Sequence, residues 1–549
     1  MCRRPWLIGA AAIIMLLATG CTAVVAPPLD RSAGTEPATV RVNLDAQPTT
    51  LDPNLVQDVY SAEVVEQMFL GLTNINGETG EVEPELATHW ETSEDGLTWT
   101  FHLRDDVKWS DGKPVTAQDV EYSVRRAIMP ETASPYAYAL YIIKNALAIN
   151  QTALPTDTYS LESLGVKALD DVTVQFDLEA PASYFPSIVG LWTVRALPSW
   201  AIEEFGEAWT EPQNIVVNGP YKLAEWNLDN NLALVKNPDY VQAAEVPIER
   251  FDVTFITDQN TVVALYEQGG LDITGGQPLP VEILSRLRAD PELSAQLHEG
   301  PRAETNYVGF TMTKPPFDSA LVRKAFSAAI DREALLATIT GSGTVATQFA
   351  PKGIFGAPEP EIGIGYDLEQ ARQWLAEAGY PEGQGFPEVT LRYASLTTVK
   401  ATAEALQSMW KEGLGIEVRL EQQEFPVFLA STAPSVPPDE MPEMWLLGWL
   451  ADYPDENNFV YQVLHCTDSE NRSRAACTEA DKLAAQAGQE TDLEQRKELY
   501  KQVEQGMIAD EVRIAPFSHD GYTVLTKPFI ERGYPTFGPA QWDRWMINW

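Results

Sequence analysis

The sequence predicts an α/β fold built as more than one lobe, on three observations. Strand-like runs with period-two alternation recur throughout, and in the later half they alternate with helix-like runs. The roughly 510 residues that follow the leader and tether exceed what one hydrophobic core organises, so two or three lobes are expected. No fixed-period repeat runs through the chain.

The elements follow in order. MCRR and the apolar run PWLIGAAAIIMLLATG have the charge, length and small-residue exit of a secretory signal over residues 1–20. Cys21 follows Ala18, Thr19 and Gly20, similar to a lipobox, in which that thiol is acylated; an ordinary signal with an incidental cysteine is the alternative. Residues 21–38, rich in Pro, Ala and Thr, form a flexible tether. TVRVNL (39–44) alternates as a strand, and AEVVEQMFLGL (62–72) has helical spacing. LTWTFHLR (97–104) turns Leu97, Trp99, Phe101 and Leu103 to one face, a half-buried strand. Asp111-Gly112 marks a turn and Thr116 opens a helix with Asp119 at its third position. Residues 172–178, 232–237 and 251–257 read as strands. Further helices open at Asp318 and at Asp367, where Gln370 completes a capping box and Gly379 ends the helix. A helix over 400–415 is followed by a strand over 416–425.

The net charge of −41 makes nucleic acid a poor partner, because phosphates are repelled. No second apolar run of about 20 residues follows the leader, so nothing else is expected to span a bilayer. Cys466 and Cys477, in a polar stretch outside the membrane, are expected to pair; a metal site beside His465 is the alternative. There is no HExxH, GxSxG, P-loop or GxGxxG, and the five histidines are scattered, which tilts the reading towards binding rather than catalysis, with no cofactor and no metal. One stretch is odd. In GWLADYPDENNF (448–459) an apolar, aromatic run leads into Asp452, Tyr453 and Asp455. A carboxylate there either turns outward to end a strand or waits for a cation.

From residue 39 onward the chain resembles the family 5 extracellular solute-binding proteins of bacterial ABC importers, in their oligopeptide-binding branch. The resemblance rests on PELATHWETSEDGLTWTFHLRDDVKWSDGKPVTAQDVEYSVRRA (84–127), TASPYAYAL (132–140), LGVKALDD (164–171), FGEAWTEPQNIVVNGPYKLAEW (205–226), PPFDSALVRKAFSAAIDRE (315–333) and GWLADYPDENNF, in the family's order. It implies a periplasmic-binding-protein-like fold of type II, cluster C, with two lobes around a hinge and an inserted domain. By analogy lobe I is 39–70, 196–303 and 519–549, the inserted domain is 71–195, and lobe III is 304–518. The implied function is a monomeric, lipid-anchored receptor that delivers peptides to the permease subunits of an importer.

The resemblance also carries residues over. Asp452 would neutralise the peptide's α-ammonium. The backbones of Gln57 and Val59, and of Gly448 and Leu450, would pair with the peptide as an added strand. Tyr136 would hydrogen-bond it, and Phe425 and Trp449 would wall side-chain pockets, with plain core packing the competing reading for each aromatic. Positions that are basic in studied relatives correspond here to Val399, Thr432 and Leu446, so Lys400 or Arg392 would have to meet the peptide carboxylate. A cysteine pair of some relatives is replaced by Glu304 and Leu450. The same fold with another cargo (dipeptide, oligosaccharide, nickel chelate, haem) stands as the alternative, with a secreted hydrolase or adhesin more remote.

Overall fold

The computed structural model describes residues 38–152, 160–467 and 470–548. The leader, Cys21 and the tether up to residue 37 lie outside the described residues.

Three main sheets organise the chain. In the first, Thr39–Asn43 lies parallel to Arg250–Thr254, with Val40 opposite Phe251, and Asn231–Lys236 and Tyr221–Asn227 continue the sheet antiparallel. The second is an antiparallel sheet ordered Ala87–Thr92, Thr98–Leu103, Thr173–Asp177, Val166–Asp170. Its alternation is as expected: Trp99, Phe101 and Leu103 are buried while the residues between them are half-exposed. These two sheets share one continuous core, in which Val40 and Phe251 join Phe101, Val174 and Phe176.

The third sheet is mixed and six-stranded: Thr344–Val345, Ile514–Leu525, Leu297–Phe310, Met444–Leu450, Val389–Ala394, Val418–Gln423. It has its own core, where Val308, Leu391 and Met444 pack under Phe326 and Trp410 from helices Ala320–Ala328 and Thr397–Leu414. Two of its strands are long and reach out of it. Leu297–Phe310 runs antiparallel to Ile514–Leu525 from the Leu297–Leu525 pair to the Gly309–Ile514 pair, and its register shifts between Pro301 and Thr305. At one end Leu525 packs with Val262 and Leu284, near the first sheet; at the other, Val308 and Phe310 belong to the third sheet's core.

Helix starts follow their caps. Thr116 and Asp119 form the expected capping box ahead of Ala117–Ile128. Asp367 caps Leu368–Glu377 by accepting the Gln370 N–H, without the reciprocal Gln370 bond of the expected capping box. The helix near Asp318 starts one residue later, with Ser319 at its N-cap position and no side-chain cap bond. The helix expected over 62–72 instead spans Val59–Met68, because Asp58 accepts the Tyr60 and Ser61 amides and starts it early. It stops at Met68 because the next amides have better partners: Leu70 N–H donates to Asn218 Oδ1 and Gly71 N–H to Glu85. No helix among the described residues is long and apolar enough to cross a membrane.

Candidate functional site

The strand Met444–Leu450 explains how the apolar run ends at a carboxylate. One edge pairs with Leu297–Phe310 along its whole length, Gly448 opposite Asn306 and Leu450 opposite Glu304. The other edge pairs with Val389–Ala394 only at Met444 and Trp445. Leu446–Leu450 therefore present a row of backbone donors and acceptors with no strand partner among the described residues. That edge lines an open cavity of about 1280 Å³, which Gln57, Val59, Tyr136, Phe425 and Asp452 also line. The lining comes from segments far apart in sequence: Tyr60 and Phe425 meet edge to face at 5.3 Å, and nearby the Thr397 hydroxyl donates to the Thr257 carbonyl at 3.1 Å.

Asp452 stands just past the strand end. A short helical turn, Asn457–Tyr461, follows and aims Asn458 back at it. The Asn458 amide donates to Asp452 Oδ2 at 2.8 Å, while Asn458 Oδ1 accepts from the Asp452 N–H at 2.9 Å and from Trp449 Nε1 at 3.0 Å. The Tyr136 hydroxyl lies 3.3 Å from both carboxylate oxygens. No lysine, arginine or histidine among the described residues ion-pairs with Asp452. Burial, the largest effect, pushes its pKa up to about 7 against these hydrogen bonds. Asp455, three residues on, has the opposite surroundings: Arg496 lies 2.8 Å away and the Tyr500 hydroxyl 3.3 Å. One acid of the pair is structural and already neutralised; the other is half-buried, held in place and without a counterion among the described residues.

Residues 81–471 match the family of bacterial extracellular solute-binding proteins, family 5. The chain belongs to that family. As a family 5 solute-binding protein it is 33% identical to the oligopeptide-binding protein OppA of Bacillus subtilis, over 87% of either chain. It is 32% identical to the periplasmic OppA of Escherichia coli, over 95% of this chain and 94% of that one. It superposes on Haemophilus influenzae OppA in complex with the peptide RPPGFSPFR at a TM-score of 0.83 and 30% identity, covering 93% of this chain and 99% of that one. The murein tripeptide binding protein of E. coli superposes at 0.85 with 31% identity, covering 94% and 99%. The unliganded open form of that protein superposes at only 0.65. The two halves of this family 5 chain are thus arranged unlike that open form.

The residues expected at the carboxylate end are elsewhere. Lys400 is exposed beside Glu404, and Arg392 is spent on Glu421 and the Ser431 carbonyl; neither lines the cavity. Val399 and Leu446 do line it, and Thr432 is buried behind it. The guanidinium in the wall is that of Arg472, 2.8 Å from Glu470 and 3.0 Å from Thr432 Oγ1. In sequence Arg472 sits in a polar run between two cysteines and reads as a solvated loop. The signal that could have found it is its place inside the closed loop: Cys466 and Cys477 form a disulfide, which leaves no thiolate for a metal at His465. The positions that carry a cysteine pair in some relatives, Glu304 and Leu450, are direct cross-strand neighbours, and Glu304 pairs with Arg302 at 3.2 Å.

Proposed function

We propose that this protein is the peptide-capturing receptor of an ABC importer, holding an oligopeptide between its halves and passing it to membrane permease subunits. The observation that carries the reading is a half-buried Asp452 with no cation beside it, at the end of an unpaired strand edge, both facing one cavity. A bound α-ammonium offsets the desolvation of that carboxylate through charge-assisted hydrogen bonds. A peptide main chain laid along Leu446–Leu450 supplies the missing strand, which gives affinity without reading side chains. The opposite wall at Gln57 and Val59 holds the peptide's other edge, Tyr136 orients its head, and Phe425 and Trp449 flank its side chains. The protein binds and releases its cargo without turnover. The names of its relatives, which include oligopeptide- and dipeptide-binding proteins, support a peptide over a sugar, metal chelate or haem.

In this reading lobe I (39–70, 196–303, 519–549) carries the inserted domain 71–195, and lobe III is 304–518. The divisions at 303/304 and 518/519 fall inside the two long paired strands, near their register shift, where a small backbone change would swing one core against the other.

Calorimetry with tri- to pentapeptides tests the site. N-acetylation should abolish binding, and Asp452→Ala should weaken it by about 2–5 kcal/mol. Equal affinity for acetylated and free peptides rejects the ammonium role. The receptor acts on the extracytoplasmic side of the cell membrane, in the periplasm or at the cell surface, monomeric and tethered through a lipid on Cys21. Cys21→Ala should shift it from the membrane fraction to the soluble extracellular one; an unchanged distribution removes the anchor.

A further inference from the structure

A second chamber of about 1300 Å³ opens behind Asp452 and shares with the first the walls formed by Val59, Tyr60, Trp192, Leu450 and Asp452. Its charged lining is almost entirely satisfied. Asp45 accepts from Asn43, Gln259 and the Gln277 amide. Glu63 accepts from Trp542 Nε1 at 2.7 Å and the Ala540 amide, and Glu66 lies 3.4 Å from Arg195. Arg302 is paired with Glu304. Arg532 is different. Its guanidinium lies over the rings of Trp545 at 4.2 Å and Tyr534 at 5.0 Å, and Nε donates to the Gly533 carbonyl. Three arginines line the two chambers: Arg302, Arg472 and Arg532. Of these, Arg532 alone has no carboxylate at ion-pair distance among the described residues.

An arginine stays charged in such a place, and ring faces compensate only part of its lost hydration. Asp452 at the junction and Arg532 in the rear are thus groups of opposite charge, each without an ion-pair partner among the described residues, that face connected chambers. A peptide whose ammonium sits at Asp452 and whose main chain follows Leu446–Leu450 fills the front chamber. In that reading its first side chain starts beside Asp452, which lines both chambers.

We propose that the rear chamber is a subsite for an anionic group on the first residue of the bound peptide, with Arg532 as its counterion against Trp545 and Tyr534. The inference rests on the peptide reading and adds a preference to it: an acidic first residue. A carboxylate there forms a charge-assisted, two-pronged bond with the guanidinium that an amide or methyl cannot match.

Calorimetry of the full chain with Glu-Ala-Ala-Ala, Gln-Ala-Ala-Ala and Ala-Ala-Ala-Ala tests it, in wild type and in Arg532→Gln and Arg532→Lys. Wild type should bind the Glu peptide about tenfold more tightly than the Gln peptide. Arg532→Gln should bring that ratio to one while leaving tetra-alanine binding unchanged, and Arg532→Lys should keep part of the preference. Equal wild-type affinities for the three peptides would overturn the subsite and leave the peptide reading standing. An equal loss for all three in Arg532→Gln would also overturn it, marking Arg532 as structural. Failure of every peptide to bind wild type would sink the peptide reading and this inference together.

Discussion

At Asp452 the surroundings set the chemistry, and they set a pH dependence with it. Its pKa, pushed up to about 7 in the empty site, means that an arriving ammonium meets a carboxyl protonated in much of the population at neutral pH. Binding as proposed must expel that proton. Peptide affinity should therefore rise between about pH 5 and 7, level off once Asp452 is ionised, and fall above about pH 8 as the peptide's amine deprotonates. Titrations in buffers of different ionisation enthalpy would count the released proton, and Asp452→Asn should flatten the rising limb. A flat profile in the wild type would show that Asp452 is not the ammonium's partner. Much of this residue was legible beforehand, since an acid after an apolar run is costly unless something compensates it. The family resemblance pointed to Asp452, but the residues alone could not say which of Asp452 and Asp455 is left without a counterion. That depended on Arg496, 41 residues further along the chain.

At the scale of elements, local signals worked where local bonds decide. The Thr116 capping box and the alternation of Thr98–Leu103 are set by neighbours in sequence and appear as expected. The helix Glu479–Gln489 shows a cap put to wider use. Thr478 and Asp481 close its capping box, and the same Asp481 carboxylate takes both arms of buried Arg513, at 2.8 and 2.7 Å, and the Cys466 amide. Burial opposes ionisation of Asp481, yet the Arg513 bonds and charge outweigh it and hold its pKa down at about 2. A depressed pKa stabilises the fold above the unfolded value near 3.8, and that contribution fades as pH drops through about 2. Asp481→Ala would leave Arg513 with Glu511, 2.7 Å away, as its remaining carboxylate, and urea unfolding at neutral pH should show a loss of about 1–3 kcal/mol. A loss below about 1 kcal/mol would mean that the pair only breaks even. The unpaired edge at Leu446–Leu450, by contrast, had no sequence signature. An edge is defined by the strand that is missing beside it.

For the molecule as a whole, length called for more than one core, and the described residues form separate ones around the first and third sheets. How the halves connect did not. Two long strands cross between cores, and their pairing joins residues more than 200 positions apart, such as Leu297 with Leu525. Cavities are likewise formed between distant segments: the rear chamber gathers Asp45, Arg302 and Arg532. Lys400 and Arg392 show the cost of reasoning along the chain alone. Each is near the right place in sequence, but one extends into solvent and the other is claimed by Glu421.

By itself the sequence determined the α/β class, the caps and alternating strands, and a stretch where carboxylates follow an apolar run, because backbone periodicity and desolvation act over a few residues. Tertiary structure alone decided which charges are neutralised and which are left for a visitor. Coulombic and hydrogen-bond partners are chosen by distance in space, and in this chain those distances are closed by long-range strand pairing.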